Sequence, residues 1–111
     1  MLNIDTVYKR GILFVKMYGV INKKNKYKIE DVLDSAINKA GIKYLLLNFD
    51  NIYYINVDIS RMISKWNNVL KREDGKIFIC GNNNVKEMII NFDNGIKDAD
   101  DEISAFSMVS I

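Results

Sequence analysis

The spacing of apolar and polar positions changes several times along the chain, and each change marks an element. In NIDTVYK (3–9), Ile4, Thr6 and Tyr8 fall on one face and Val7 on the other, the period of a short strand. Arg10-Gly11 reads as a turn, and ILFVKMYGV (12–20) reads as a second strand. So short a link makes the two strands an antiparallel hairpin. INKKNKYK is a polar, lysine-rich loop. After it, Ile29, Val32, Leu33, Ala36, Ile37 and Ala40 recur at intervals of three and four, a single helical stripe. Gly41 is the expected C-terminal cap, because glycine enters the left-handed conformation without steric cost.

KYLLLNF (43–49) is apolar almost throughout, as expected of a strand covered on both faces in a parallel sheet. Ile59, Met62, Ile63, Trp66, Val69 and Leu70 form a second helical stripe, with Asp58 just before it as the expected N-cap. KIFIC (76–80) is another buried strand. GNNN (81–84) supplies an asparagine cap for a third helix marked by Val85, Met88, Ile89 and Phe92. DNGIK is a turn with at most a vestigial strand. Ala99, Ile103 and Phe106 mark a last helix, with Asp98 as its expected cap and Asp100, Asp101 and Glu102 in its first turn, where the helix dipole favours acids. The order is β-β-α-β-α-β-α-(β)-α. It predicts one α/β domain over residues 1–111, with a mixed sheet of four to five strands and about four helices. Strands 43–49 and 76–80 run parallel, and Trp66 faces the sheet.

Composition narrows the function. Apolar residues make up 49% of the 111 and charged residues 27%, ordinary values for a globular domain. A net charge of +2 gives no basic face of the kind nucleic acid requires. The expectation is of no nucleic-acid partner and no membrane partner, since no stretch nears the ~18–20 apolar residues of a membrane span. The N-terminus lacks the residue order of a signal peptide, so a cytoplasmic location is expected. With no histidine and one cysteine, Cys80, histidine-based nucleophile triads, the common transition-metal ligand sets and an intrachain disulfide are excluded. No cofactor is expected.

Little in the sequence points to catalysis. Asp50 and Asp58 have no third polar group to make them an acid–base pair and read as solvated loop acids. Cys80, at the end of a buried strand, reads as a small apolar residue. Tyr53 and Tyr54 precede the second long helix, where a tyrosine anchors an interface well.

In element order and in several local stretches the chain resembles a STAS domain, the fold of bacterial anti-sigma factor antagonists (anti-anti-sigma factors). MYGVIN is similar to that family's strand ending in glycine. YLLLNFDNIYYIN is similar to its apolar strand and the approach to its switch, and GKIFICGNNNVKEMI to its fourth strand and third helix. The resemblance spans nearly the whole chain. It implies a non-enzymatic domain that works in transcription regulation by partner switching. Such a domain binds an anti-sigma factor that is also a serine kinase, and is released when that kinase phosphorylates a hydroxyl at the start of the helix after the third strand.

By spacing, Asn56 stands at the family's aspartate, Val57 at the first hydroxyl, Asp58 at the phosphorylated one and Ile59 at the glycine. Val20 and Asn22 stand where the family often has an acid pair. The resemblance therefore implies a partner surface of Asn22, Tyr54, Asn56, Val57, Asp58, Ile59, Ser60 and Arg61, without the usual phosphorylatable serine. A carboxylate carries about one negative charge against the ~1.5–2 of a phosphate, so Asp58 partly imitates the phosphorylated state. Ser60 is the alternative phosphosite. Two other roles stay open: a non-phosphorylatable STAS scaffold or decoy that binds other STAS proteins, and a small-ligand sensor. The oligomeric expectation is a monomer or weak dimer.

Overall fold

A computed structural model describes residues 1–109. The elements are β1 (Leu2–Lys9), β2 (Ile12–Gly19), α1 (Tyr27–Asp34) with a π-helical turn (Ser35–Lys39) continuing it, β3 (Tyr44–Asn51), α2 (Val57–Lys71), β4 (Lys76–Gly81), α3 (Asn83–Phe92), β5 (Lys97–Asp98) and α4 (Glu102–Met108). The five strands lie in sequence order across one sheet. β1 and β2 pair antiparallel, and β2, β3, β4 and β5 run parallel to one another. The hairpin, the parallel central strands and the two-residue β5 all agree with the expected order.

The period-two alternation of the strands divides the core in two. Leu13, Val15 and Met17 of β2, Leu45 and Leu47 of β3 and Ile77 and Ile79 of β4 pack with α1, α2 and α3. Trp66 is buried in this cluster, on the sheet-facing side of α2. On the opposite face Ile12, Phe14, Leu46, Phe78 and Cys80 pack with Ala99, Ala105 and Val109. β3 is therefore covered on both faces, which is why its apolar run is unbroken.

Four side chains leave the stripes expected for them. Ala40 is exposed because the π turn, with bonds from Ala40 N–H to Ser35 and from Ile42 N–H to Ala36, rotates it off the α1 face. Gly41 then takes the left-handed φ of 67° expected of it. In α3 only Val85 and Ile89 are buried, and Met88 and Phe92 lie on the exposed flank. Ile103 is 80% exposed, because Ala99 precedes the helix and its spacing to Ile103 crosses a non-helical turn. Asp98 is not the cap of α4 either. It belongs to β5 and accepts Lys86 Nζ at 2.9 Å, while Asp101 caps α4 by accepting the Ser104 N–H at 2.7 Å. Asp100 lies outside the helix, with φ at 63°.

Gly81 joins the end of β4 to the end of β3. With φ at 112° and the backbone of Phe49 and Asp50 pressed against it, no side chain fits there. The asparagine cap that follows is as expected: Asn82 Oδ1 accepts the N–H groups of Asn84 and Val85.

Candidate partner-binding surface at the start of α2

Because β2, β3 and β4 are parallel, the segments that leave their C-terminal ends emerge at one end of the sheet. Between β3 and α2 the chain is pinned by Ile52 and Ile55, which are 1% and 0% exposed. The residues between them have no room inside. Tyr53 and Tyr54 are 75% and 71% exposed. The loop, buried at both ends, holds two phenol rings outward.

Asn56, and not Asp58, caps α2. Its backbone is extended, and its Oδ1 accepts the Ile59 N–H at 3.2 Å. Asp58 is the second residue of the helix. There its carboxylate gains from the helix dipole and pairs with Arg61, Oδ1 to Nη1 at 2.8 Å. Val57, at the first helical position, is half exposed.

Ile59 and Ser60 are buried, at 2% and 1% exposed. The Ser60 hydroxyl points under α3, with Oγ 3.5 Å from the Met88 carbonyl oxygen. A kinase would have to part α2 from α3 to reach that hydroxyl, and a partner would have to do the same to touch Ile59.

Arg61 reaches in two directions. It pairs with Asp58, and its guanidinium lies 6.0 Å from the centre of the Phe92 ring. Through Arg61, the start of α2 continues into the exposed flank of α3, where Phe92 and Met88 lie open. In the sequence both read only as positions that mark the third helix. What they add is an aromatic ring beside Arg61 and an exposed thioether on the same helix. Asn22 lies in the loop after β2, at the same end of the sheet. Its Oδ1 accepts the Lys24 and Asn25 N–H groups in the loop after β2, and no hydrogen bond or ion pair joins it to α2 among the described residues.

At the end of β3, Asn48 is buried. It donates to Glu102 Oε2 at 3.2 Å and accepts the N–H of Asp50, two residues further along the same strand, at 2.8 Å. Asp50 is exposed. Cys80 is buried nearby. Desolvation, and after it the charges of Asp50 and Glu102, push its thiol up to about 12, which disfavours the thiolate at neutral pH. Among the described residues no group of acidic or cysteine side chains could hold a metal ion, and no helix is long and apolar enough to cross a membrane. The surface offers aromatic and apolar contacts, one cation and one carboxylate. That chemistry suits recognition of another protein.

No protein-family model matches the sequence, and no curated protein matches it significantly. Solved structures do match in fold. The phosphorylated form of SpoIIAA, a cell fate determinant of Bacillus, is 14% identical, with a TM-score of 0.75 over 99% of this chain and 100% of that one. An anti-sigma factor antagonist from Mycobacterium paratuberculosis is 11% identical, with a TM-score of 0.82 over 98% and 94% of the two chains. A serine-to-glutamate variant of RsbS from Moorella thermoacetica is 10% identical, with a TM-score of 0.75 over 95% and 92%. The fold of this chain is that of the anti-sigma factor antagonists, the STAS fold.

Proposed function

We propose that this chain is a regulatory domain that binds an anti-sigma factor of the serine-kinase type, in the manner of the anti-sigma factor antagonists whose fold it shares, with its switch position occupied permanently by a carboxylate. One observation carries the reading. At the start of α2, where the resemblance puts the phosphorylated hydroxyl, stands Asp58, flanked by the outward side chains of Tyr54, Val57 and Arg61. A large exposed tyrosine and valine beside a charge have the composition of an interface core and rim.

Calorimetric titration against such an anti-sigma kinase tests it. The wild type binds, and Tyr54→Ala and Phe92→Ala each weaken binding at least tenfold without changing the melting temperature by more than a few degrees. Asp58→Ser strengthens binding, by a few tenths of a kcal/mol if the carboxylate sits at a solvated rim and by ~2 kcal/mol or more if it is desolvated. An absence of binding by wild type and Asp58→Ser alike would overturn the proposal.

A second reading has an observation of its own. Asp58 accepts no phosphoester and Ser60 is buried, so the start of α2 offers no accessible hydroxyl. That favours a domain held in one signalling state, a scaffold or decoy among other STAS proteins. It is distinguished by affinity for STAS proteins and none for the kinase.

A further inference from the structure

β1 forms one edge of the sheet, with β2 as its only partner strand among the described residues. Its outer side is open along most of its length: residues from Asp5 to Lys9 are all exposed, Val7 and Tyr8 by 59% and 61%. The direction of its backbone groups follows from the hairpin. The turn Arg10-Gly11, with φ of 52° and 83°, joins Lys9 to Ile12. At the other end the Val20 N–H donates to the Met1 carbonyl at 3.1 Å, while Lys28 Nζ reaches the Leu2 carbonyl at 3.4 Å from the other side. Odd-numbered residues therefore turn their N–H and C=O groups to β2, and even-numbered ones turn them outward. Ile4, Thr6 and Tyr8 present these groups to the open side, and none has another backbone partner there among the described residues.

Edge strands usually carry charges that repel a second strand. The charges on β1 do the reverse. Asp5 and Lys9 lie two residues to either side of Val7 and share its face, and neither is in a salt bridge among the described residues. We propose that β1 pairs antiparallel with β1 of a second copy of this chain, with Val7 on the two-fold axis, to make one continuous sheet across the dimer. In that register Asp5 faces Lys9 of the other copy, twice by symmetry. Thr6 faces Tyr8 of the other copy, and both have their backbone groups turned outward, so they exchange hydrogen bonds.

The neighbouring registers lose this match. Odd shifts set outward groups against inward ones. The even shifts put Asp5 against Asp5 or Lys9 against Lys9, or leave these charges opposite uncharged residues. Both flanks of the strand accept the second copy. On the α1 side, the incoming Tyr8 arrives beside a cleft lined by Thr6, Leu13, Val32 and Ser35. On the α4 side, the groove lined by Val7, Phe14, Tyr18, Ile103 and Phe106, about 400 Å³ in volume, meets its symmetry mate across the axis. The contact is confined to one strand and its flanks, so the dimer is weak and assembles over roughly 10 μM to 1 mM. It leaves the start of α2 free and does not depend on the function proposed above.

Sedimentation equilibrium and a disulfide trap test the register. Wild type associates to a dimer over that range. Asp5→Lys and Lys9→Asp, each setting like charges opposite, weaken self-association at least tenfold. Mixed one to one, the two variants form a heterodimer. The lysine introduced into one copy then meets the aspartate introduced into the other, and the unchanged Lys9 of the first meets the unchanged Asp5 of the second. Val7→Cys gives a disulfide dimer under mild oxidation, because the paired Cα atoms at the axis lie within disulfide reach, at ~4.5 Å. Cys80 is buried and does not compete. Should Asp5→Lys fail to fold against Lys16, its neighbour on β2, the Val7→Cys trap decides alone. A wild type that stays monomeric to ~1 mM overturns the proposal and leaves the edge to an extended segment of another protein. A dimer that Val7→Cys does not trap overturns it in favour of another interface.

Discussion

The Ser64 hydroxyl donates to Asp93 Oδ2 at 2.7 Å, tying the middle of α2 to the residue that ends α3. Burial pushes the Asp93 carboxyl up, but the Ser64 hydroxyl, the Gly95 N–H and the charge of Lys71 outweigh it and hold the group below its ordinary 3.8. A carboxyl lowered on folding contributes stability in full above its unfolded value and loses it as pH falls through the folded one. Ser64→Ala lets the Asp93 carboxyl rise back toward 3.8. The expected loss is about 1 kcal/mol at pH 7, for one hydrogen bond to a partly exposed charge, and it shrinks below pH 3.8. Urea denaturation of both proteins at pH 7 and pH 3 measures the difference.

Asn56 takes the N-cap role that the sequence assigns to Asp58, and substitution separates the two. Asn56→Ala removes the cap of α2 and should lower stability by about 1 kcal/mol. Asp58→Ala removes a first-turn charge and a solvent-screened ion pair with Arg61, worth roughly 0.5 kcal/mol together. Thermal melts that put Asp58→Ala well below Asn56→Ala would contradict this assignment.

Gly81→Ala should be among the most damaging single changes. A methyl group there meets the backbone of Phe49 and Asp50, and φ at 112° strains any side chain. A loss of about 3 kcal/mol or more is expected by denaturant titration.

Glu30 accepts the Lys65 ammonium at 3.0 Å and the Trp66 indole N–H at 3.1 Å, joining α1 to α2. Those two bonds hold its carboxyl below the ordinary value of 4.5. Glu30→Ala deprives a mostly buried indole N–H of its partner and should destabilise by about 1 kcal/mol. Trp66 is the only tryptophan, so its fluorescence maximum reports the change directly, shifting as water reaches the indole.

Much of the fold is written in local pattern. The unbroken Leu45-Leu46-Leu47 run specifies a strand covered twice, and Trp66 falls on a stripe too regular to be anything but a buried helix face. The misreadings have a common source in tertiary placement. Asn and Asp cap helices equally well, so a stripe beginning at Ile59 does not say which of Asn56 and Asp58 starts the helix. The width of the α3 stripe depends on what lies beside it, and nothing in the local spacing shows that Met88 and Phe92 stay exposed next to Arg61. The burial of Ser60 depends on how closely α3 settles on α2. The resemblance located the start of α2, and the α3 half of the surface came only with the structure.

On the side of the sheet opposite the three long helices, Cys80 is roofed by α4, which has seven residues and a single buried side chain within its span, Ala105. So small a unit should open more readily than the whole domain unfolds. Burial is the main cause that raises the Cys80 thiol to about 12, and exposure to water would remove that cause. Cys80 is therefore a built-in gauge of local breathing. Its rate of alkylation at neutral pH, set against the rate in denaturant, gives the fraction of time that the roof is open. A ligand or partner that presses on α4 would be read as a slower clock at a residue it never touches.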